Sequence, residues 1–265
     1  MFRLLAALAC LVLALPAQAA TLCTLVADSH TGAILIEQGE GCDTPTTPAS
    51  TFKMPLAVMG FDAGFLADAH NPALPFVQGY ADWGGDEWRQ TTDPLRWMDH
   101  SVVWYSRAIT RALGAARLSD YARAFDYGNA DFTGDPGAGN GLERSWISSS
   151  LKLTPRQQLA FMRKLVNRQL PVSRAAMDTT LAILQKRDAG GWKLVGKTGS
   201  AYPRRPDSSF DRARGWGWYI GAATKGDQTL IFVRLDQDEG REAISGGLRA
   251  RDALLAEWPS LMARQ

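Results

Sequence analysis

Ser50-Thr51-Phe52-Lys53 sets a hydroxyl and an amine three residues apart at what reads as the start of a helix. Residues at i and i+3 share a helix face, so the amine stands beside the hydroxyl. A serine hydroxyl is a weak nucleophile until a neighbouring base takes its proton, and this spacing supplies that base. Pro48 and Pro55 place the helix start. Pro55 has no N–H to donate to Thr51, so it fits the first turn and leaves Ser50 at or next to the N-terminus. There the free backbone N–H groups and the positive end of the helix dipole favour negative charge growing on a reacting carbonyl.

By chance S-x-x-K arises about once in a chain this long, and a second copy stands at Ser149-Ser150-Leu151-Lys152. That copy lies among polar residues just before Thr154-Pro155, with no apolar helix behind it, and is read as chance. Behind Lys53 runs Met54-Pro55-Leu56-Ala57-Val58-Met59-Gly60-Phe61, apolar on nearly every face, as in a buried helix. Burial disfavours the ammonium form of Lys53 and makes a neutral amine available for chemistry.

Three further motifs follow in order. Ser101-Val102-Val103 opens a helix-like stretch running from Trp104 to Leu113, and Tyr127-Gly128-Asn129 precedes a loop, Asp131 to Leu142, rich in Gly, Asp and Asn. Lys197-Thr198-Gly199 follows the strand-like Trp192–Val195. Each is weak alone; the order is specific.

In that order the motifs resemble the class D (oxacillinase-type) serine β-lactamases, within the penicillin-recognising serine enzymes. The resemblance runs from P-A-S-T-F-K through the Trp146 region and Gly217-Trp218-Tyr219-Ile220-Gly221 to Gly247-Leu248-Arg249, essentially the whole mature chain. It implies hydrolysis of a small-molecule β-lactam through an acyl-enzyme on Ser50. It also implies that Lys53, as N6-carboxylysine formed with CO2 or bicarbonate, is the general base for acylation and deacylation, with no other cofactor. Val103 would keep that pocket dry, and the Trp146 indole, a donor with no acceptor function, would hold the carbamate. Ser101 would relay a proton to the departing nitrogen. The backbone N–H groups of Ser50 and Ser200 would form the oxyanion hole, only the backbone of Ser200 being used. Lys197, Thr198, Gly199 and Arg249 would line the substrate site, with Arg249 rather than Arg251 binding its carboxylate. Class A relatives would carry S-D-N and a Glu-x-x-x-Asn loop, and neither is present. Glu143 therefore reads as a solvated carboxylate and Tyr127 as structural, its phenol being too weak an acid to serve unaided.

Two other functions fit the same motifs: a β-lactam sensor that stays acylated, and a peptidoglycan DD-peptidase. Sensors of this kind are usually tethered by transmembrane helices, and peptidases often carry an anchor or further domains. Here the only long apolar run is a leader. Arg3, the run Leu4–Leu15 and Ala17-Gln18-Ala19 read as a signal peptide over residues 1–19, cleaved after Ala19. Cys10 lies inside that run without a lipobox. The mature protein, 20–265, is expected to be periplasmic or secreted and free of the membrane. Cys23 and Cys42 remain. In an oxidising compartment they are expected to pair, closing a loop worth roughly 3 kcal/mol, the alternative being two buried thiols. A net charge of +2 says little, but the arginines are scattered and form no basic stripe that would suggest nucleic acid. His30, His70 and His100 have no metal-ligand spacing.

These residues need elements to position them. Leu22–Ala27 and Ala33–Gln38 read as a hairpin around Asp28-Ser29-His30-Thr31-Gly32. Helical patterns dominate from Ser50 to about Lys186, with Leu159, Met162, Leu165 and Val166 at helical spacing. Three strand patterns follow (Gly191–Gly199, Trp216–Ala223 and Thr229–Leu235), and Leu248–Trp258 closes the chain as an amphipathic helix. The expected fold is α/β: an antiparallel sheet built from both termini and flanked by helices. A helical lobe, about 55–186, is inserted in it, and the active site lies in the cleft between them.

Overall fold

β1 (Ala20–Asp28) carries Leu25, Val26 and Ala27 in a row, all buried, so both faces of its sheet are covered. The computed structural model describes residues 19–264, which leaves the expected leader outside the described residues except for Ala19. β1 turns back as β2 (Ile34–Gln38) in the expected hairpin. The chain then passes through a 3-10 turn at Ala49–Phe52 into α1 (Lys53–Asp62). α2 (Pro94–His100), α3 (Val103–Phe125), α4 (Gly141–Arg144), α5 (Pro155–Val166) and α6 (Arg174–Ala182) follow. The sheet resumes with β3 (Gln185–Ala189), β4 (Trp192–Ala201), β5 (Trp216–Lys225) and β6 (Gln228–Gln237), and α7 (Gly246–Met262) closes the fold.

The strand order is β2-β1-β6-β5-β4-β3, every pair antiparallel, so β6 joins the two ends of the chain beside β1. Period-2 alternation divides the core between two faces. On β6, Ile231, Val233 and Leu235 pack with the helices of the middle segment, while Leu230 and Phe232 pack with Leu254 and Trp258 of α7. Arg234 points to the α7 face too, where its guanidinium bonds Thr24, Asp236 and Glu257. Gly217 is required on β5: a Cβ there would fall 2.2 Å from the carbonyl oxygen of Gly246, where α7 begins.

The sheet has one strand more than the sequence pattern gives. Gln-Lys-Arg-Asp-Ala of β3 lacks apolar alternation because it is a half-exposed edge strand, where charges discourage further pairing. α5 begins with a capping box between Thr154 and Gln157, and it packs on β1, β5 and β6 rather than standing apart from the sheet. Cys23 of β1 and Cys42 are joined as a disulfide. Among the described residues no helix is long and apolar enough to cross a membrane.

Candidate active site

The helix start predicted at Ser50 is the 3-10 turn, and the amine of Lys53 at the head of α1 lies 3.5 Å from Ser50 Oγ. Lys53 is 1% exposed although Ser50 is half-buried, so the pair joins an accessible hydroxyl to a desolvated amine. Burial first, and then the like charge of Lys197, holds the Lys53 amine well below the ordinary lysine range. Ala49, just before the nucleophile, has a left-handed backbone at φ 51°. A residue with a Cβ is strained there, so its neighbours must hold it. The Thr51 amide and hydroxyl both donate to the Pro48 carbonyl, at 3.2 and 2.6 Å, spanning Ala49 and Ser50.

Trp146 is fully buried, its ring stacked on Phe52 with centroids 5.5 Å apart. Its indole N–H has no hydrogen-bond partner among the described residues, an expensive state for a buried donor unless a ligand completes it. Its carbonyl accepts from the Thr47 hydroxyl at 2.8 Å, and the Thr47 carbonyl accepts from the indole of Trp218 at 2.9 Å. Thr47 thus ties the segment before Ser50 to Trp146 on one side and to β5 on the other. Val103 is buried.

Ser101 does not open α3. It closes α2 in a left-handed conformation, φ 59°, and α3 begins two residues later at Val103. The chain reverses there between two helices, a junction that the apolar pattern alone does not reveal. The Ser101 hydroxyl has no partner among the described residues.

β3 pairs with β4 only as far as Gly196, so the edge from Lys197 onward is free to face the Ser50 turn. A Cβ on Gly199 would stand 2.9 Å from the Pro48 carbonyl oxygen and 3.0 Å from the Thr51 nitrogen; glycine is what lets strand and turn meet. Lys197 is 1% exposed, its Nζ donating to the Thr198 carbonyl at 3.1 Å and reaching the Thr198 hydroxyl at 3.5 Å. Burial pushes its ammonium down to about 7, opposed by the charge of Asp99 and assisted by that of Arg251. The Ser200 side chain is used after all: its Oγ accepts from the Gly247 N–H at 2.8 Å, fastening β4 to the start of α7.

Arg249 is less free than a lone carboxylate clamp. Its guanidinium pairs with the buried carboxylate of Asp238, and its Nε donates to the Ile244 carbonyl at 3.0 Å. Arg251 bonds Asp252 at 2.8 Å. Glu143 is solvated and paired with Arg111, whose hydrogen bond holds its carboxyl below the usual range. Tyr127 is fully buried, and burial raises its phenol far above the ordinary value. Neither offers a base at Ser50. Sequence reading missed Thr47, Asp238 and Gln158. Gln158 left one signal, a polar side chain on the apolar stripe formed with Leu159, Met162 and Leu165.

Residues 22–257 match the penicillin binding protein transpeptidase domain family. The chain is 39% identical over 241 residues to Beta-lactamase OXA-9 of Klebsiella pneumoniae, covering 91% of this chain and 88% of that one. It is 35% identical over 214 residues to Beta-lactamase OXA-1 of Escherichia coli, covering 80% and 74%. The crystal structure of the class D β-lactamase OXA-427 is similar with a TM-score of 0.84 and 46% identity, over 91% of this chain and 98% of that one. The chain belongs to the penicillin binding protein transpeptidase family and, within it, to the class D serine β-lactamases.

Proposed function

We propose that the protein hydrolyses β-lactam antibiotics through an ester on Ser50. The observation that carries this reading is the desolvated amine of Lys53 within 3.5 Å of the Ser50 hydroxyl. An amine held neutral by burial fits carboxylation, and the unpartnered indole N–H of Trp146 is the donor that fits the resulting anion. Carboxylated by CO2 with loss of one proton, Lys53 would supply an anionic base for both acylation and deacylation.

The other residues divide the remaining work. Ser50 Oγ gives up its proton and attacks the lactam carbonyl. The N–H groups of Ser50 and Ser200 meet the developing oxyanion, each such donor being worth roughly 3 kcal/mol in the transition state. Ser101, whose hydroxyl has no partner among the described residues, passes a proton to the departing nitrogen. Lys197, Thr198 and Arg249 anchor the substrate carboxylate, and Val103 keeps water from the Lys53 amine. Cleavage of residues 1–19 would release the chain into an oxidising compartment, where the Cys23–Cys42 bridge persists.

The test is turnover of a penicillin and a chromogenic cephalosporin by purified 20–265. Many hydrolysed molecules per enzyme support the reading. A single stable adduct on Ser50 without turnover would replace it with the sensor.

A further inference from the structure

Below the nucleophile runs a buried hydrogen-bond chain to which the acyl-transfer chemistry assigns nothing. The Tyr127 hydroxyl donates to Gln158 Oε1 at 3.3 Å, Gln158 Nε2 donates to Thr51 Oγ1 at 2.7 Å, and Thr51 Oγ1 donates to the Pro48 carbonyl at 2.6 Å. Tyr127, Gln158 and Thr51 are each 0% exposed, so no water can substitute for a lost member.

The direction of every bond is determined. Thr51 has one hydroxyl proton and gives it to Pro48, so its oxygen needs a donor from elsewhere. The Tyr127 phenol also reaches Thr51, but its one proton goes to Gln158 Oε1, so the donor is the NH2 side of the Gln158 amide. The Pro48 carbonyl fixes that orientation: it can only accept, so Thr51 has no proton left for an amide oxygen. The last bond of the chain spans Ser50 and the left-handed Ala49. Lose the donor, and the Thr51 hydroxyl is free to turn away from Pro48, leaving the turn that aims Ser50 Oγ with the longer amide bond at 3.2 Å alone.

We propose that Gln158 is a positioning residue for the nucleophile, holding the Pro48–Ser50 turn in its attacking geometry through Thr51. This rests on the reading of Ser50 as the acylated residue. Gln158 touches neither substrate nor reacting atoms; it acts through Thr51.

The test is single-turnover acylation by a penicillin, followed as the mass of the adduct, with thermal unfolding recorded alongside. Gln158→Leu removes the donor and is expected to slow maximal acylation roughly tenfold, the size of one buried hydrogen bond acting on the barrier, with little change in apparent substrate affinity. Gln158→Glu is the sharper variant. As a protonated acid it repeats the pattern, its C=O accepting from Tyr127 and its O–H donating to Thr51. As a carboxylate it has no proton to give, and burial raises the pH at which that loss occurs.

Its acylation rate divided by that of wild type should therefore be close to one at low pH and fall as pH rises. Tyr127, the titratable group bonded to Gln158, stays protonated throughout. Lys53 and Lys197 titrate in wild type as well, so the ratio reports what the new carboxyl adds, including its charge on them. A ratio that does not change with pH, or a folded Gln158→Leu protein acylated at the wild-type rate, overturns the proposal. Wild type that forms no adduct overturns the acyl-enzyme reading itself, and the proposal with it.

Discussion

The ring of Trp146 lies on that of Phe52 at 5.5 Å between centroids and 28° between planes, which fixes the indole beside the residue that precedes Lys53. Its unpartnered N–H and the depressed Lys53 amine are two deficits that one bound anion would satisfy together. Activity should consequently fall in CO2-depleted buffer and return on adding bicarbonate. Trp146→Phe keeps the stacking and removes the donor, so it should need roughly tenfold more bicarbonate for half-maximal rate. Initial rates against bicarbonate concentration measure this, and indifference of both proteins would remove Lys53 carboxylation from the mechanism.

Ser50→Ala should abolish both covalent labelling by penicillin and turnover, the latter by roughly a millionfold, as when an acyl-transfer serine is deleted. Ser149→Ala should leave both intact. The second S-x-x-K copy lies outside any helix, and its serine hydroxyl is already bonded to Asp135 at 2.7 Å. Intact-mass spectra of the two variants after exposure to penicillin decide between them.

Arg249→Ala should raise KM about tenfold or more with a smaller change in kcat, since a carboxylate anchor acts in ground and transition states alike. It should also cost roughly 3 kcal/mol of stability, because Asp238 is left as an uncompensated buried charge. The double variant Arg249→Ala/Asp238→Asn should recover the stability and not the KM. Joint recovery of both would mean that Arg249 serves the fold and not the substrate, and Arg251→Ala would then be the variant to measure.

In their proposed roles the two buried lysines should set opposite pH limits on activity. Lys53 must be neutral to react with CO2, so acidification lowers kcat. Lys197 must be charged to anchor a carboxylate, so KM should climb as pH rises through about 7. For stability the signs agree. Both amines are depressed in the folded state, so between about 7 and the ordinary 10.5 the unfolded chain binds more protons than the fold. Stability should therefore rise with pH across that window, each unit of depression being worth roughly 1.4 kcal/mol. Guanidinium unfolding at neutral and alkaline pH tests it: Lys197→Met should flatten the slope, and wild-type stability falling with pH would contradict it.

The Ser50–Lys53 pair was legible in the sequence because both members sit on one turn, where spacing alone fixes their faces. The first hairpin, the last three strands and α7 were legible for the same reason: period 2 and period 3.6 are local properties of an apolar pattern. β3 escaped because a charged edge strand has no such pattern. Ser101 was found by its motif and misplaced in its element, since the residue that breaks two helices apart carries no periodicity of its own. What only tertiary structure decided is how distant polar groups satisfy one another. Gln158 reaches Thr51 across 107 residues, and among the described residues the Trp146 indole N–H meets no acceptor. Burial removes water as the alternative partner, so each such group must find one wherever the fold brings it. The chain order of the residues does not specify which.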